Sequence, residues 1–242
     1  MLRYTQHLFM RWWAMLLAVL LAACDTSVKT EEAIVGAPVK QQPNSSVSEV
    51  YQIDTTRSTL TWIGAKITGR HNGVFEISSG ELLLDKGKLT GGEINLNMLA
   101  TRADDKTIDS AANQKLTSHL RSTDFFDAAR YPTATFILTS VAPYDSTLQK
   151  TELPVGHPDA ELRVKGATHL LTGNLTIKDK TKSIRFPAKI TLQDSLLNVR
   201  ANFNIDRTQW GLVYRSDKSL GNQTIHPEVN IGIDLEAKRT RP

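Results

Sequence analysis

The sequence predicts an all-β protein, an extended antiparallel barrel of eight strands with one short helix. Three observations lead there. Apolar residues alternate with polar ones at period two through most of the chain after Tyr51, the pattern of a strand with one dry and one wet face. The alternating runs are joined by short turns such as Lys178-Asp179-Lys180 and Gln193-Asp194-Ser195. About eight such runs fill the region, which favours closure into one barrel over two domains.

The runs can be taken in order. Leu60 and Trp62 alternate with Thr59 and Thr61, and Gly64, Gly69 and Gly73 then bend or break the strand. Val74 to Ile77 resumes, Ser79-Gly80 interrupts, and Glu81 to Asp85 continues to a Lys86-Gly87-Lys88 turn. Ile94, Leu96 and Met98 form a clean alternation with Glu93, Asn95 and Asn97. Ala111 to Leu120 is the helical candidate, with Leu116 and Leu120 four apart and Asp109 or Ser110 as its cap. A strand follows with Ala134, Phe136 and Leu138 on one face. Ala142 to Gly166 is a long connection containing Pro143, Pro154, Gly156 and Pro158. Three regular strands come next: Leu171 to Ile177, Ile184 to Leu192 and Leu197 to Ile205. A polar excursion from Asp206 to Gly221 precedes the last strand, Val229 to Leu235.

The N-terminus has a different logic. Met1 to Ala23 reads as a secretory signal: Arg3 and Arg11 give a positive start, and Trp12 to Ala23 is uncharged. It ends Leu21-Ala22-Ala23-Cys24, similar to a bacterial lipobox, so Cys24, the single cysteine, is the expected lipidation site. Acyl chains there would tie the protein to a membrane, facing the periplasm within the cell envelope. Asp25 resembles the inner-membrane retention signal of enteric bacteria, a rule that does not transfer between lineages, so the leaflet stays open. Residues 24–50, polar and without period, read as the lipidated cysteine and a flexible tether. The barrel domain is then 51–242. Lys plus Arg number 29 against 25 Asp plus Glu. Removing Arg3 and Arg11 leaves a near balance and no electrostatic footprint for nucleic acid.

No catalytic constellation is visible. His71, His119, His157, His169 and His226 are scattered, without metal-ligand spacing, and neither a nucleophile elbow nor a phosphate loop occurs. The chain is therefore expected to be no enzyme and to need no catalytic cofactor. One stretch stands out: His119 to Asp127 carries adjacent Phe125 and Phe126 flanked by Asp124 and Asp127, before Tyr131-Pro132 opens a strand. Such a pair either plugs one end of a β core or rims a cavity for an apolar ligand. An eight-stranded barrel is the size at which the interior is filled or holds one small ligand. Small inward candidates, Gly64, Gly173, Ala134, Ala188 and Ala201, would leave space. Arg207 is expected to pair with Asp206 or a loop carboxylate and hold a barrel corner.

Four blocks carry a family likeness. They are Trp62-x-Gly64-x-Lys66-x-x-Gly69-x-His71-x-Gly73; Leu116-x-x-His119-Leu120-x-Ser122-x-Asp124-Phe125-Phe126-Asp127 running to Tyr131-Pro132-x-Ala134-x-Phe136; Leu171 to Lys178; and Phe203-x-Ile205-Asp206-Arg207-Thr208-x-Trp210. In this order they resemble the YceI-like family, over roughly Tyr51 to Ala237. The chain departs from that pattern in its lipobox, its long 142–166 connection and its Lys178 to Lys182 turn. The resemblance implies a lipocalin-like barrel, crossed by a helix, that holds a polyisoprenoid or related amphiphile such as an isoprenoid quinone. The expected lining is Trp62, Phe75, Leu84, Ile94, Leu96, Phe136, Leu138, Leu175, Phe186, Val199 and Phe203, with Phe125, Phe126, Trp210 and Tyr214 near the ends. The implied role is a membrane-tethered carrier or reservoir. The alternative is a non-enzymatic interaction barrel with a filled core, binding a partner through loops 104–110 and 209–222. A homodimer is compatible with the pattern, which does not demand one.

Overall fold

A computed structural model describes residues 26–40, 47–145, 147, 153 and 156–240. The signal segment, Cys24 and the last two residues lie outside them. The main elements are strands β1 (Glu31–Glu32), β2 (Ile34–Gly36), β3 (Glu49–Ile53), β4 (Thr59–Lys66), β5 (Gly69–Asp85) and β6 (Lys88–Ala103). Helix α1 (Ser110–Arg121) follows, then β7 (Thr133–Pro143), β8 (His169–Ile177), β9 (Lys180–Gln193), β10 (Leu196–Asp206) and β11 (Ile225–Arg239). Strands β4 to β11 form a closed antiparallel barrel, each pairing with the next and β11 returning to β4. Strand β3 pairs with β11 and β5 beyond the start of β4, which lengthens one end of the wall.

Local chemistry accounts for the breaks. The hairpins β5–β6, β8–β9 and β9–β10 turn on Lys86, Lys178 and Asp194, which all take positive φ. The interruption expected at Ser79-Gly80 is a bulge between Ile77 and Ser79 rather than a strand end. It changes which alternate residues of β5 face inward, from Phe75 and Ile77 to Leu82 and Leu84, all set among the core side chains. The helix begins where expected: the Asp109 side chain accepts from the Ala112 N–H at 2.7 Å and caps it.

The tether expected over residues 24–50 is not one where it is described. From Thr26 to Val39 the chain is a strap bound to the outside of the barrel. It starts at the β4–β5 hairpin, where the Thr26 hydroxyl donates to the Lys66 carbonyl at 2.6 Å and Arg70 Nε donates to the Thr26 carbonyl at 2.6 Å. It then crosses β11 and β10 over Asn202, Asn204 and Asn230. These asparagines, at the polar positions of the alternation, are buried. Asn204 Nδ2 donates to the Val28 carbonyl at 2.8 Å, Asn230 Nδ2 to Thr30 Oγ1 at 2.9 Å, and Asn202 Nδ2 to Asn230 Oδ1 at 3.1 Å. Buried amides of this kind must be paired; the strap supplies partners to Asn204 and Asn230, and Asn230 in turn pairs with Asn202.

The strap also repairs the wall. Strands β9 and β10 pair over Ala188–Gln193 and Leu196–Ala201 and then separate. Strand β1 takes the freed edge of β10 in parallel, Glu31 opposite Phe203, and β2 takes the edge of β9, Ile34 opposite Arg185. Two open edges that would otherwise invite foreign strands are thereby covered. The strap ends on β8, where Val39 N–H and carbonyl bond the Asn174 amide at 2.9 and 2.7 Å.

The long 142–166 connection contributes a second clasp. A short 3₁₀ turn at Pro158–Glu161 buries Asp159, which is 1% exposed. Its carboxylate accepts from Arg70 at 2.6 and 3.0 Å and from the Lys29 N–H at 2.8 Å. Burial alone would raise the Asp159 pKa, but the Arg70 hydrogen bonds, the Lys29 N–H and the nearby charge hold it below the ordinary carboxylate value.

Candidate functional site

The inner faces of β4 to β11 enclose a cavity of about 440 Å³. One end of the barrel is solid: Tyr51, Leu84, Leu197 and Ala237 pack there with almost no exposure. The opposite end, where β5, β9 and β11 begin, carries the mouth. Its accessible lining residues are Lys66 and His71 near the β4–β5 hairpin and Arg215, Asn222 and Gln223 from the segment before β11.

Most expected lining residues are brought together. Trp62, Phe75, Ile94, Leu96, Phe136 and Leu138 line the cavity from β4 to β7. Leu175, Phe186, Val199 and Phe203 line it from β8 to β10. Phe136, Phe186 and Phe203 form an aromatic row, with centroids 5.9 and 4.1 Å apart along it. Two residues differ. Leu84 points inward but lies in the solid end, below the cavity floor. Trp210 is buried without lining the cavity; its Nε1 donates to the Leu175 carbonyl at 2.9 Å and pins the Arg207–Trp210 turn to β8. Period two gives the direction of a side chain, not its depth, so Leu84 could not be separated from Leu82. The anchoring role of Trp210 leaves no trace in the alternation.

The small inward residues divide as well. Gly64 and Ala134 line the cavity. Gly173 opens no space, because a Cβ there would lie 2.3 Å from the Phe136 ring, which covers it. Ala188 and Ala201 face one another across β9–β10 in the packed core. Leu82, Leu89, Leu116, Leu171, Ile231 and Leu235 also contribute lining. They carry the same period-two or helical signal and were distinguishable by no other feature of the sequence.

The Phe125–Phe126 segment closes over the cavity from the helix side. Chain direction is set at the end of α1, where the Phe126 N–H donates to the Leu120 carbonyl at 3.1 Å and the Ala128 N–H to the Arg121 carbonyl at 2.9 Å. Asp127 takes a positive φ in this turn. Both rings are buried and both line the cavity, so the pair is at once a cover and a wall. Phe126 meets Phe75 edge-on at 5.7 Å. Phe125 lies 5.1 Å from the His119 ring and 5.3 Å from Tyr214, which reaches across from the opposite rim. His119 itself is held by Asp124 at 2.8 Å.

Arg207 holds the opposite rim, by different means from those expected. It is 4% exposed. Its guanidinium donates to backbone carbonyls: Tyr214 and Ile225 at 3.0 Å each, His226 at 3.2 Å, and Leu212. The fork geometry of arginine suits this convergence. Burial pulls its pKa below the usual range, partly offset by the charges of Asp206 and Glu228. Asp206 instead caps the following turn, accepting from the Thr208 N–H at 2.9 Å. At the other side of the mouth, His71 Nδ1 meets Asp105 Oδ2 at 2.7 Å.

Chemically this is a binding chamber. Its walls are aliphatic and aromatic, with polar groups confined to the mouth and rim. Among the described residues no three His, Cys, Asp or Glu side chains gather as a metal site. Residues 51–237 match the YceI-like domain model. The chain belongs to the YceI-like family. No curated protein sequence matches it. Among solved structures it is similar to BcnA from Burkholderia cenocepacia, at 18% identity and a TM-score of 0.56, covering 77% of this chain and 99% of that one. It is also similar to a polyisoprenoid binding domain from Saccharophagus degradans implicated in plant cell wall breakdown, at 14% identity and a TM-score of 0.53, covering 80% and 100%. At these identities the likeness concerns the fold.

Proposed function

We propose that this YceI-like protein binds the apolar chain of an isoprenoid-type lipid, a polyisoprenoid or an isoprenoid quinone, and serves as a carrier or reservoir in the cell envelope. The observation that carries the reading is the cavity of about 440 Å³ with apolar walls and a polar mouth. That polarity fits an amphiphile whose tail is buried and whose head stays at the rim. Each methylene transferred from water contributes about 0.8 kcal/mol, so a five-carbon isoprene unit contributes about 4 kcal/mol by the same scale. The binding named for the Saccharophagus domain supports the choice of lipid class. The lipobox at Cys24 supports attachment to the membrane, on the periplasmic side. The binding role requires no catalytic group, and the His71–Asp105 and His119–Asp124 pairs find structural employment in holding the loops around the mouth.

The test is purification of the full chain from bacterial membranes in mild detergent, followed by native mass spectrometry and identification of extracted lipid. One isoprenoid-type molecule per chain is expected. Consistent absence of lipid from folded protein, with competitor isoprenoids failing to bind, would refute the reading. The filled interaction barrel requires a solid core, and the cavity between β4 and β11 argues against it.

A further inference from the structure

Three of the large hydrophobic residues left exposed flank the mouth. Ile67, 44% exposed, is at the tip of the β4–β5 hairpin, next to Lys66. Val213, 59% exposed, lies between the lining residues Leu212 and Tyr214. Leu220, 43% exposed, sits in the 3₁₀ segment Lys218–Gln223 that supplies Asn222 and Gln223 to the mouth. Lys66, Arg215 and Lys218 stand among them, and the β8–β9 turn at the same end adds Lys178, Lys180 and Lys182. The carboxylates within these segments are Asp179 and Asp217, and Asp217 is occupied in capping the 3₁₀ segment. Apolar tips interspersed with an excess of cations match the chemistry of an anionic bilayer surface.

The strap gives an independent argument for the same face. Thr26 is fixed to the β4–β5 hairpin through Lys66 and Arg70, beside the mouth. Cys24 is two residues earlier, so its Cα lies within about 7 Å of the Thr26 Cα whatever the path. If acyl chains leave the protein there, they enter the bilayer next to the mouth, on a leash too short to let the barrel turn over.

The geometry points to a docking surface for the membrane: Ile67, Val213 and Leu220, with Lys66, Arg215 and Lys218, seat on anionic phospholipid and press the cavity mouth against the bilayer. A lipid tail then passes between bilayer and cavity without crossing water. This deepens the carrier reading and rests on it for the purpose of the surface, but not for its existence.

The full chain reconstituted in vesicles of phosphatidylethanolamine and phosphatidylglycerol provides the test. Cys24 is the single cysteine, so once it is acylated an introduced thiol is the sole labelling site. Val213→Cys and Leu220→Cys label the mouth. Ser195→Cys labels the β9–β10 turn at the far end of β10, whose 11 residues span about 36 Å. With bimane on each and brominated lipid in the vesicles, the two mouth labels are expected to be quenched several-fold more strongly than the Ser195→Cys label. Equal quenching, or the reverse order, overturns the proposal. In a second arm, Val213→Asp with Leu220→Asp should slow uptake of a dansyl-labelled isoprenoid alcohol from vesicles several-fold while leaving the amount bound at equilibrium unchanged. Unchanged uptake also overturns it. Failure of the unmodified chain to bind the alcohol at all, with the quenching order intact, would instead count against the cavity reading and leave the docking face standing.

Discussion

Two substitutions that enlarge a side chain inside the barrel should have opposite consequences. Ala134→Leu places three further carbons on β7 where Ala134 borders the cavity. In a filled core such overpacking costs about 1–3 kcal/mol. Here the cavity of about 440 Å³ receives the side chain, so stability should change by less than about 1 kcal/mol. The ligand meanwhile loses room for about three methylenes, about 2.4 kcal/mol at 0.8 each, or roughly 50-fold in affinity. Gly173→Ala, one strand away on β8, adds a single methyl. Its Cβ would stand 2.3 Å from the Phe136 ring and 2.6 Å from the Ile137 carbonyl. With no open space to enter, it should destabilise by about 1–3 kcal/mol. Chemical denaturation gives the stability of each variant, and displacement of a fluorescent isoprenoid gives affinity. A strongly destabilised Ala134→Leu that retained full affinity would refute the hollow barrel and return the interior to a packed core.

Other expectations follow from the rims and the strap. Phe125→Ala removes a ring that faces Tyr214 and the cavity; lipid retention should fall at least 10-fold, roughly 1.4 kcal/mol, with a smaller proportional loss of stability, and equal retention would reduce the ring to a plug. Arg207→Ala leaves four carbonyls without their donor; since a buried acceptor left unpaired costs about 1–3 kcal/mol, a loss of at least about 3 kcal/mol is expected, together with hydrogen exchange over residues 211–226 far above that of β10. Asp159 has a folded pKa below its ordinary 3.8. Its contribution is therefore complete above that value and is lost as the pH falls through the depressed one. Acidification should release the strap, raising protease cleavage at residues 26–40 before the barrel unfolds, and Asp159→Asn should show raised cleavage already at neutral pH.

The barrel was legible because alternation is a local consequence of strand geometry. Wherever one face is buried, period two is enforced residue by residue, as in Leu171 to Ile177 and Leu197 to Ile205. The helix was legible for the same reason, with Asp109 as its cap. Depth within the barrel was not. Leu84 and Leu82 obey one rule and differ in whether the chain beyond them fills the space. Gly173 and Gly64 are both small, but a neighbouring strand places Phe136 on one of them. These outcomes depend on partners far away in the sequence, which no local pattern encodes.

The strap shows the same limit from the other side. Residues 26–40 look like a linker because they have no period, and they have none because each short piece meets a different neighbour: a hairpin at Thr26, buried amides at Val28 and Thr30, and two strand edges at β1 and β2. The signal lay in the barrel instead. A strand whose wet face carries Asn202 and Asn204 beside Asn230 offers amide groups that can be buried only against another polar backbone. Arg70 and Asp159, seemingly ordinary charges in a hairpin and a long connection, close on one another across that same strap. A linker in composition is therefore part of the wall in structure. Removing it would expose the edges of β9 and β10 and uncap two buried asparagines, Asn204 and Asn230, at once, so the folded unit includes residues 26–39 as well as the barrel.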